Sequence, residues 1–470
     1  LVGCGTQLAG NTTIDTGSGN VTLPIVNPTA ANVTSLTINT TGSTVLGTVG
    51  AGGRLASINI TGGTATLSGV ATAGEQTYGG AVVLTTPGTS YSTLNSAITV
   101  EGTTQLTAGN LATFEVGSGN ATFNGTVNGA SSLVVNSTGT TTFSGAVGGV
   151  LPISSLTTDA GGTTVLGGNV TTTGNQSFGD QVNMTGSVTL VSGAGTIDAS
   201  SGINGTGQTL TIGDAGQTGG VTLGGNIALG SLQTGNGSFD VAIESNNAVI
   251  TGDGLFVNNG SVTLNSTGLI IAFDSGLNTT AVSQTILSGY IETSNRFIEL
   301  NNVTLTGSTT LHSSQGVVSF GNDVVINGLE MNGQNLTTYG GTAGRTILTA
   351  ATNLSAGTLT VVTGNLALGS GGTGATLTAT AEANLAVAAN YAISVDASTT
   401  LSAVGQTVNF KADNFTIQSA ANSLSAACLT FSTPTAGRSF ALGTATGADI
   451  TLNQAAFDTF NASRVEIGQN

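Results

Sequence analysis

Apolar residues fall in short alternating runs along most of this chain: Val33, Leu36 and Ile38; Val188 and Leu190; Leu210 and Ile212; Val262 and Leu264. A period of two places one set of side chains on a single face of a strand. Thr and Val dominate the runs, and branching at Cβ suits both to a pleated surface. Gly, Asn and Asp interrupt them at short intervals, supplying left-handed and turn conformations. Helical periodicity sustained over a full helix is almost absent, so the pattern predicts an all-β chain. Residues 269–273 (LIIAF) form the most apolar short run and predict a strand buried on both faces. Residues 290–300 carry Glu292, Arg296 and Glu299 and predict a solvated loop or outward bulge. Residues 453–460 predict one or two helical turns ahead of a strand at 463–467.

The chain also copies itself. VATAGEQTYGGAV (residues 70–82) aligns with VTTTGNQSFGDQV (residues 170–182), setting Tyr78 against Phe178. Upstream, SLTINTTGSTVLG (35–47) matches SLTTDAGGTTVLG (155–167) and, more loosely, SLVVNSTGTTTFS (132–144). The two copies of the module span residues 34–84 and 131–185. Self-similarity of this kind marks a repeat architecture. An array of β-sandwich domains and a single right-handed parallel β-helix both fit strands with tight corners. The module divides into smaller pieces of similar make-up and unequal spacing, and no linker breaks the composition, which favours the β-helix. It is expected to run through residues 1–470 as one continuous body. At roughly 20 to 25 residues per rung this gives about 20 rungs, and a rung spacing of about 4.8 Å makes a rod on the order of 100 Å long. Stacked corners would let Asn and Thr form ladders along the axis.

Composition narrows the function. The 22 acidic and six basic residues give a net charge of −16, and Gly contributes 73 of 470 residues. Nucleic-acid binding takes a basic stripe, and none is present. An anionic membrane surface would repel the chain, and no apolar run is long enough to span a bilayer. The first residues lack the basic and apolar regions of a signal peptide. Leu1-Val2-Gly3-Cys4 has the look of a lipobox, but a processed lipoprotein would begin at the Cys. Cys4 and Cys428 stand too far apart along a rod to meet. They read either as small buried hydrophobes or as links between subunits.

The text ISSLTTDAGGTTVLGGNVTTTGNQSFGDQV, with a closing element of Leu452, Phe457, Phe460, Ala462, Val465, Ile467 and Gly468, resembles bacterial filamentous-haemagglutinin-type and autotransporter-passenger-type surface proteins. The resemblance covers about two thirds of the chain. It implies a long extracellular β-helix acting as adhesin or fibre, and a chain that is a segment or processed form of something longer. No secretion domain or membrane β-barrel of that family is recognisable.

Catalytic text is scarce. β-helical lyases and glycosidases gather acids, often with a base, on one face. The nearest acid pairs are Asp240 with Glu244 and Glu292 with Glu299, and the only Lys and His are Lys411 and His312. His312 sits at an alternating position and reads as a strand-face residue, and no Gly-x-Ser-x-Gly text accompanies it. Asp159, Asp253 and Asp323 are isolated carboxylates in turn text, whereas a hard cation takes several oxygens. GGTGATLT has Thr376 where a calcium repeat needs an acid. No catalytic, cofactor or metal residues are therefore assigned, and the chain is expected not to be an enzyme. Asn-x-Ser/Thr recurs at Asn11, Asn20, Asn32, Asn39, Asn59, Asn120, Asn124 and Asn136, mostly by chance in so Asn- and Thr-rich a chain; any modified sites would be outward corners. Tyr78 and Phe178 would stack on sugars if exposed, but their nearby valines favour the interior.

A sparsely charged, hydroxyl-rich surface offers little resistance to packing against copies of itself. The expected role is an extracellular, cell-surface structural or adhesive protein. It would self-associate end to end or laterally into a fibre or sheath, as in a biofilm. The alternative is a monomeric adhesin stalk that binds surface glycans or another cell. A polysaccharide-degrading enzyme is a third reading, and a Thr-array ice binder lacks the regular Thr-x-Thr it would need.

Overall fold

A computed structural model describes residues 5–85, 89–107, 109, 111–313, 322–341, 344–370, 372, 374–421, 423–445 and 447–468. The chain is a right-handed parallel β-helix of about 19 turns. It forms two compact units. One runs to Gly230 and takes in Gly235–Phe239; the other comprises Ser231–Thr234 and the chain from Asp240 onward.

Within each unit every coil lays its strands in parallel register on those of the coil before. Ser132 faces Ser155 and Thr140 faces Thr163, so two of the three matching segments are consecutive coils. The step between coils varies. Ile58 faces Gln76, 18 residues on, whereas Leu366 faces Ile393, 27 residues on. Between Leu424 and Phe460, partners 36 residues apart, the coil carries an outgrowth: a parallel pair of strands, Phe440–Gly443 and Ile450–Asn453, and a helix, Gln454–Asp458. The Asn453 side chain caps that helix by accepting from the Ala456 N–H at 2.9 Å. No helix among the described residues is long and apolar enough to cross a membrane.

Alternation fills the interior. Leu36, Ile38, Leu264, Leu210 and Ile212 are all buried. Val33 is not: it precedes the strand Ser35–Thr40 and is 65% exposed. The run at residues 269–273 is also not buried on both faces. Leu269 points outward at 68% exposure, and only Ile271, Ala272 and Phe273 are buried; their strand, Ser261–Phe273, bends through a register shift between Asn265 and Ile271. Aromatic rings stack from coil to coil inside. In the first unit Tyr91 stacks on Phe114 and Phe123 on Phe143 at centroid separations of 5.1 and 5.2 Å, and Phe114 meets Phe123 of the same coil edge-on at 5.0 Å. In the second, Phe410, Phe431 and Phe460 stack in succession at 5.3 and 5.1 Å. Such pairs contribute about 0.5–1.5 kcal/mol each beyond their buried area.

Outward faces are tied by side-chain ladders, and these explain the abundance of Asn. Asn39 donates to Asp15 of the coil before and accepts from Thr61 of the coil after, at 3.2 Å. Asn124 donates to Glu101 at 2.7 Å and Asn136 to Glu115 at 2.8 Å. Asn11, Asn20 and Asn120 accept backbone N–H groups of the following coil at 2.8–2.9 Å. Six of the Asn-x-Ser/Thr asparagines thus bond one coil to another. Ser57–Ser35 and Ser155–Ser132 hydroxyl pairs, both at 2.8 Å, recur at equivalent places in the twin modules.

The twins share a buried plug. Gln76 and Gln176 are fully buried. Gln76 Nε2 donates to the carbonyls of Val70 (3.2 Å) and Ser92 (2.9 Å) and to Thr72 Oγ1 (3.3 Å). Gln176 Nε2 does the same to Val170 (3.2 Å), Val191 (2.8 Å) and Thr172 Oγ1 (3.3 Å). Tyr78 and Phe178 both lie inside, each about 1% exposed. The Tyr78 hydroxyl donates to Gln76 Oε1 at 3.0 Å. Phe178 carries no such donor, and Gln176 Oε1 has no hydrogen-bond partner among the described residues. A buried unmatched acceptor costs about 1–3 kcal/mol. Phe178→Tyr should therefore raise the local stability of the second plug by about 1 kcal/mol, measured as slower amide exchange in the strand Gln176–Phe178. Faster exchange would show that the hydroxyl does not reach Gln176.

Candidate functional site

One outward patch in the second unit gathers the residue types that carry chemistry. The strands Gln284–Glu292, Ile298–His312 and Leu336–Tyr339 lie in successive coils. Their register sets Glu292 beside His312 and His312 beside Tyr339. Alternation sends the flanking positions inward: Ile291, Leu311 and Thr338 are all fully buried. Tyr290, two residues before Glu292, shares the outward face.

The Tyr290 hydroxyl lies 3.1 Å from His312 Nδ1, and that nitrogen lies 3.6 Å from Glu292 Oε2. The His312 and Glu292 side chains are 18% and 16% exposed, reachable from solvent but partly desolvated. The Tyr339 ring stands edge-on to the imidazole at a centroid distance of 4.8 Å, and the Tyr290 ring lies at 6.0 Å. Burial first, then the neighbouring Glu292 and Tyr339, pushes the Tyr290 phenol up to about 12, so it keeps its proton across neutral pH. The patch is a phenol–imidazole–carboxylate array able to share protons or donate to an electrophile. It does not hold a Ser–His nucleophile through Ser313. That side chain is fully buried, and its Oγ donates to the carbonyls of Asn322 (2.6 Å) and Tyr339 (3.1 Å).

Other candidate residues are dispersed. Glu299 does not join Glu292 in a shared bond: it accepts from Asn278 Nδ2 at 3.2 Å. Asp240 accepts the Ser261 N–H and Oγ–H at 2.6 and 2.8 Å, while Glu244 is exposed beside Asn265. Lys411 ends the strand Thr400–Lys411, beside Ala386 and Ser432. Asp159 accepts the Ser137 N–H at 2.7 Å, and Asp323 is bound by Arg345 Nη2 at 2.8 Å. Asp253 and Thr376 are exposed strand residues. Cys428 is a buried free thiol; Cys4 lies outside the described residues. Residues 290–300 are partly strand rather than a loop throughout: a corner at residues 293–297, with Asn295 at φ 57°, joins two strands.

A shallow groove of about 590 Å³ lies elsewhere in the second unit, lined by Gln284, Asn302, Thr304, Glu330, Asn353 and Thr378 among others. Glu330 Oε2 accepts from Asn353 Nδ2 at 2.9 Å. Tyr290 and Tyr339 are the members of the patch that sequence reasoning missed. A Tyr at an alternating position next to a buried strand residue carries no local mark, and only the coil register brings Tyr339 to His312.

Comparison of the chain with protein-family models, characterised proteins and solved structures returned no match. The fold therefore stands on its own geometry, that of a β-helix repeat protein.

Proposed function

We propose that this chain is an extracellular structural and adhesive protein whose β-helical subunits associate into a cell-surface fibre or sheath. The observation that carries the reading is the chemistry of the outward faces. Acids such as Asp15, Glu101 and Glu115 are spread one to a ladder and occupied by amides of the next coil. Hydroxyl and amide rows fill the space between them. Copies of such a surface meet little like-charge repulsion and present few of the charged devices that keep β-proteins apart. The resemblance of the repeats to filamentous-haemagglutinin-type and autotransporter-passenger-type surface proteins supports the same assignment.

No enzymatic step is part of this proposal. The groove offers Glu330 as its single carboxylate, whereas glycoside hydrolysis ordinarily takes two. The hydroxyl and amide side chains along it favour the second reading, a monomeric adhesin stalk that holds surface glycans. Sedimentation velocity separates the two. Self-association predicts species above the 45.6 kDa chain mass that grow with concentration and respond weakly to salt. A monomer at every concentration contradicts it and leaves the stalk.

A further inference from the structure

We propose that Tyr290, Glu292 and His312 form a binding site for a single metal ion, and that their donor set fits ferric iron. Three different donor atoms already converge. His312 Nδ1 is 3.1 Å from the Tyr290 oxygen and 3.6 Å from Glu292 Oε2. Nitrogen and oxygen ligands held about 2.0–2.2 Å from one ion, at octahedral to tetrahedral angles, lie roughly 2.8–3.6 Å from one another. The observed spacing is thus that of neighbouring vertices of one coordination shell.

The scaffold holds the donors in place. Glu292 and His312 are adjacent in the ladder between two strands, and Tyr290 is on the same strand as Glu292 with a buried Ile291 between them. Sites built on strands keep their geometry better than sites on loops. Tyr339, edge-on to the imidazole, fixes the ring plane and acts as a positioning residue. The side chains face outward, so an ion enters from solvent and water fills its remaining positions.

Ligand type selects the ion. Phenolate and carboxylate are hard oxygen donors and imidazole suits iron, while the thiolates that would favour softer ions are absent from the patch. Binding requires Nδ1 to be the unprotonated nitrogen of His312 and releases the Tyr290 phenolic proton to solvent. The phenol is essential to the set. Among the described residues no three of His, Cys, Asp and Glu come together as ligands, and Tyr290 supplies the third.

The test is titration of the full chain with ferric nitrilotriacetate, followed by visible absorption. One equivalent should produce a phenolate-to-iron charge-transfer band. Tyr290→Phe should abolish the band, and His312→Ala should weaken binding by at least ~10-fold. Tyr391→Phe, on a tyrosine outside the patch, should leave it unchanged. Circular dichroism of each variant checks that the β-helix is retained. Absence of the band, or its survival in Tyr290→Phe, overturns the site. Stoichiometric uptake of Zn²⁺ or Cu²⁺ without a ferric band overturns the choice of ion.

Discussion

Gly219→Ala is expected to force two coils of the first unit apart and cost about 3 kcal/mol or more. A Cβ at this position would stand 1.7 Å from the Gly195 carbonyl oxygen and 2.3 Å from its carbonyl carbon. Those are backbone atoms, so no side chain can swing aside. The coils cannot slide either, because Ile197 and Val221 pair just beyond the corner. Gly219 also supplies its carbonyl to Nε2 of the fully buried Gln217 at 2.8 Å, a bond that a shifted corner would break. The column continues below: a Cβ on Gly195 would meet Gly174 at 2.2 Å. Amide exchange in the strand Ile197–Ala199 should accelerate strongly in Gly219→Ala. Gly186→Ala is the control. Its nearest neighbour would be 3.7 Å away, and it should cost under about 1 kcal/mol. Equal protection in the two variants would show that the glycine corner is not a steric requirement.

Asp413→Ala should destabilise the second unit by about 3 kcal/mol at neutral pH and make it less sensitive to acid. Asp413 is 3% exposed and takes four hydrogen bonds: from the Thr433 and Thr435 hydroxyls, the Asn390 N–H (2.7 Å) and the Thr435 N–H (3.2 Å). Arg438 Nε approaches to 3.8 Å. Burial by itself pushes this carboxyl up, but the bonds from Thr433, Thr435 and Asn390 outweigh it and hold it down to about 2. A carboxyl depressed by folding stabilises the native state fully above its unfolded value of about 3.9. That contribution is lost as pH falls towards and through about 2. The wild type should therefore lose stability across this window, and Asp413→Ala should show a flatter acid limb. Identical acid unfolding curves would mean that the Asp413 cluster contributes nothing. Asp180 works in the opposite direction. Burial, foremost, raises its carboxyl, despite the Gly162 N–H at 2.6 Å, so it opposes folding at neutral pH and is relieved on acidification.

Much of the fold was legible because a β-helix writes itself locally. Alternation at Leu36 and Ile38 named the inward face, and the matching segments at 132–144 and 155–167 were the text of two stacked coils. Errors came where alternation gave way. Val33 lies before its strand begins, and Leu269 sits where a bulge turns an apolar residue to solvent. The patch was less legible for a different reason. Glu292 and His312 are 20 residues apart and His312 and Tyr339 are 27 apart, yet both pairs are register partners. Unequal corners set those distances, and no fixed period in the sequence reveals them. Gln76 and Gln176 looked like ordinary repeat matches, and their role as plugs depends on carbonyls of Ser92 and Val191 in the coil that follows.

Electron microscopy of the native material tests self-association most directly. If the sparsely charged ladder surface drives assembly, the images should show fibres or sheaths of unbounded length built from repeated subunits. Discrete particles the size of a single chain, at concentrations where the protein is abundant, would contradict assembly.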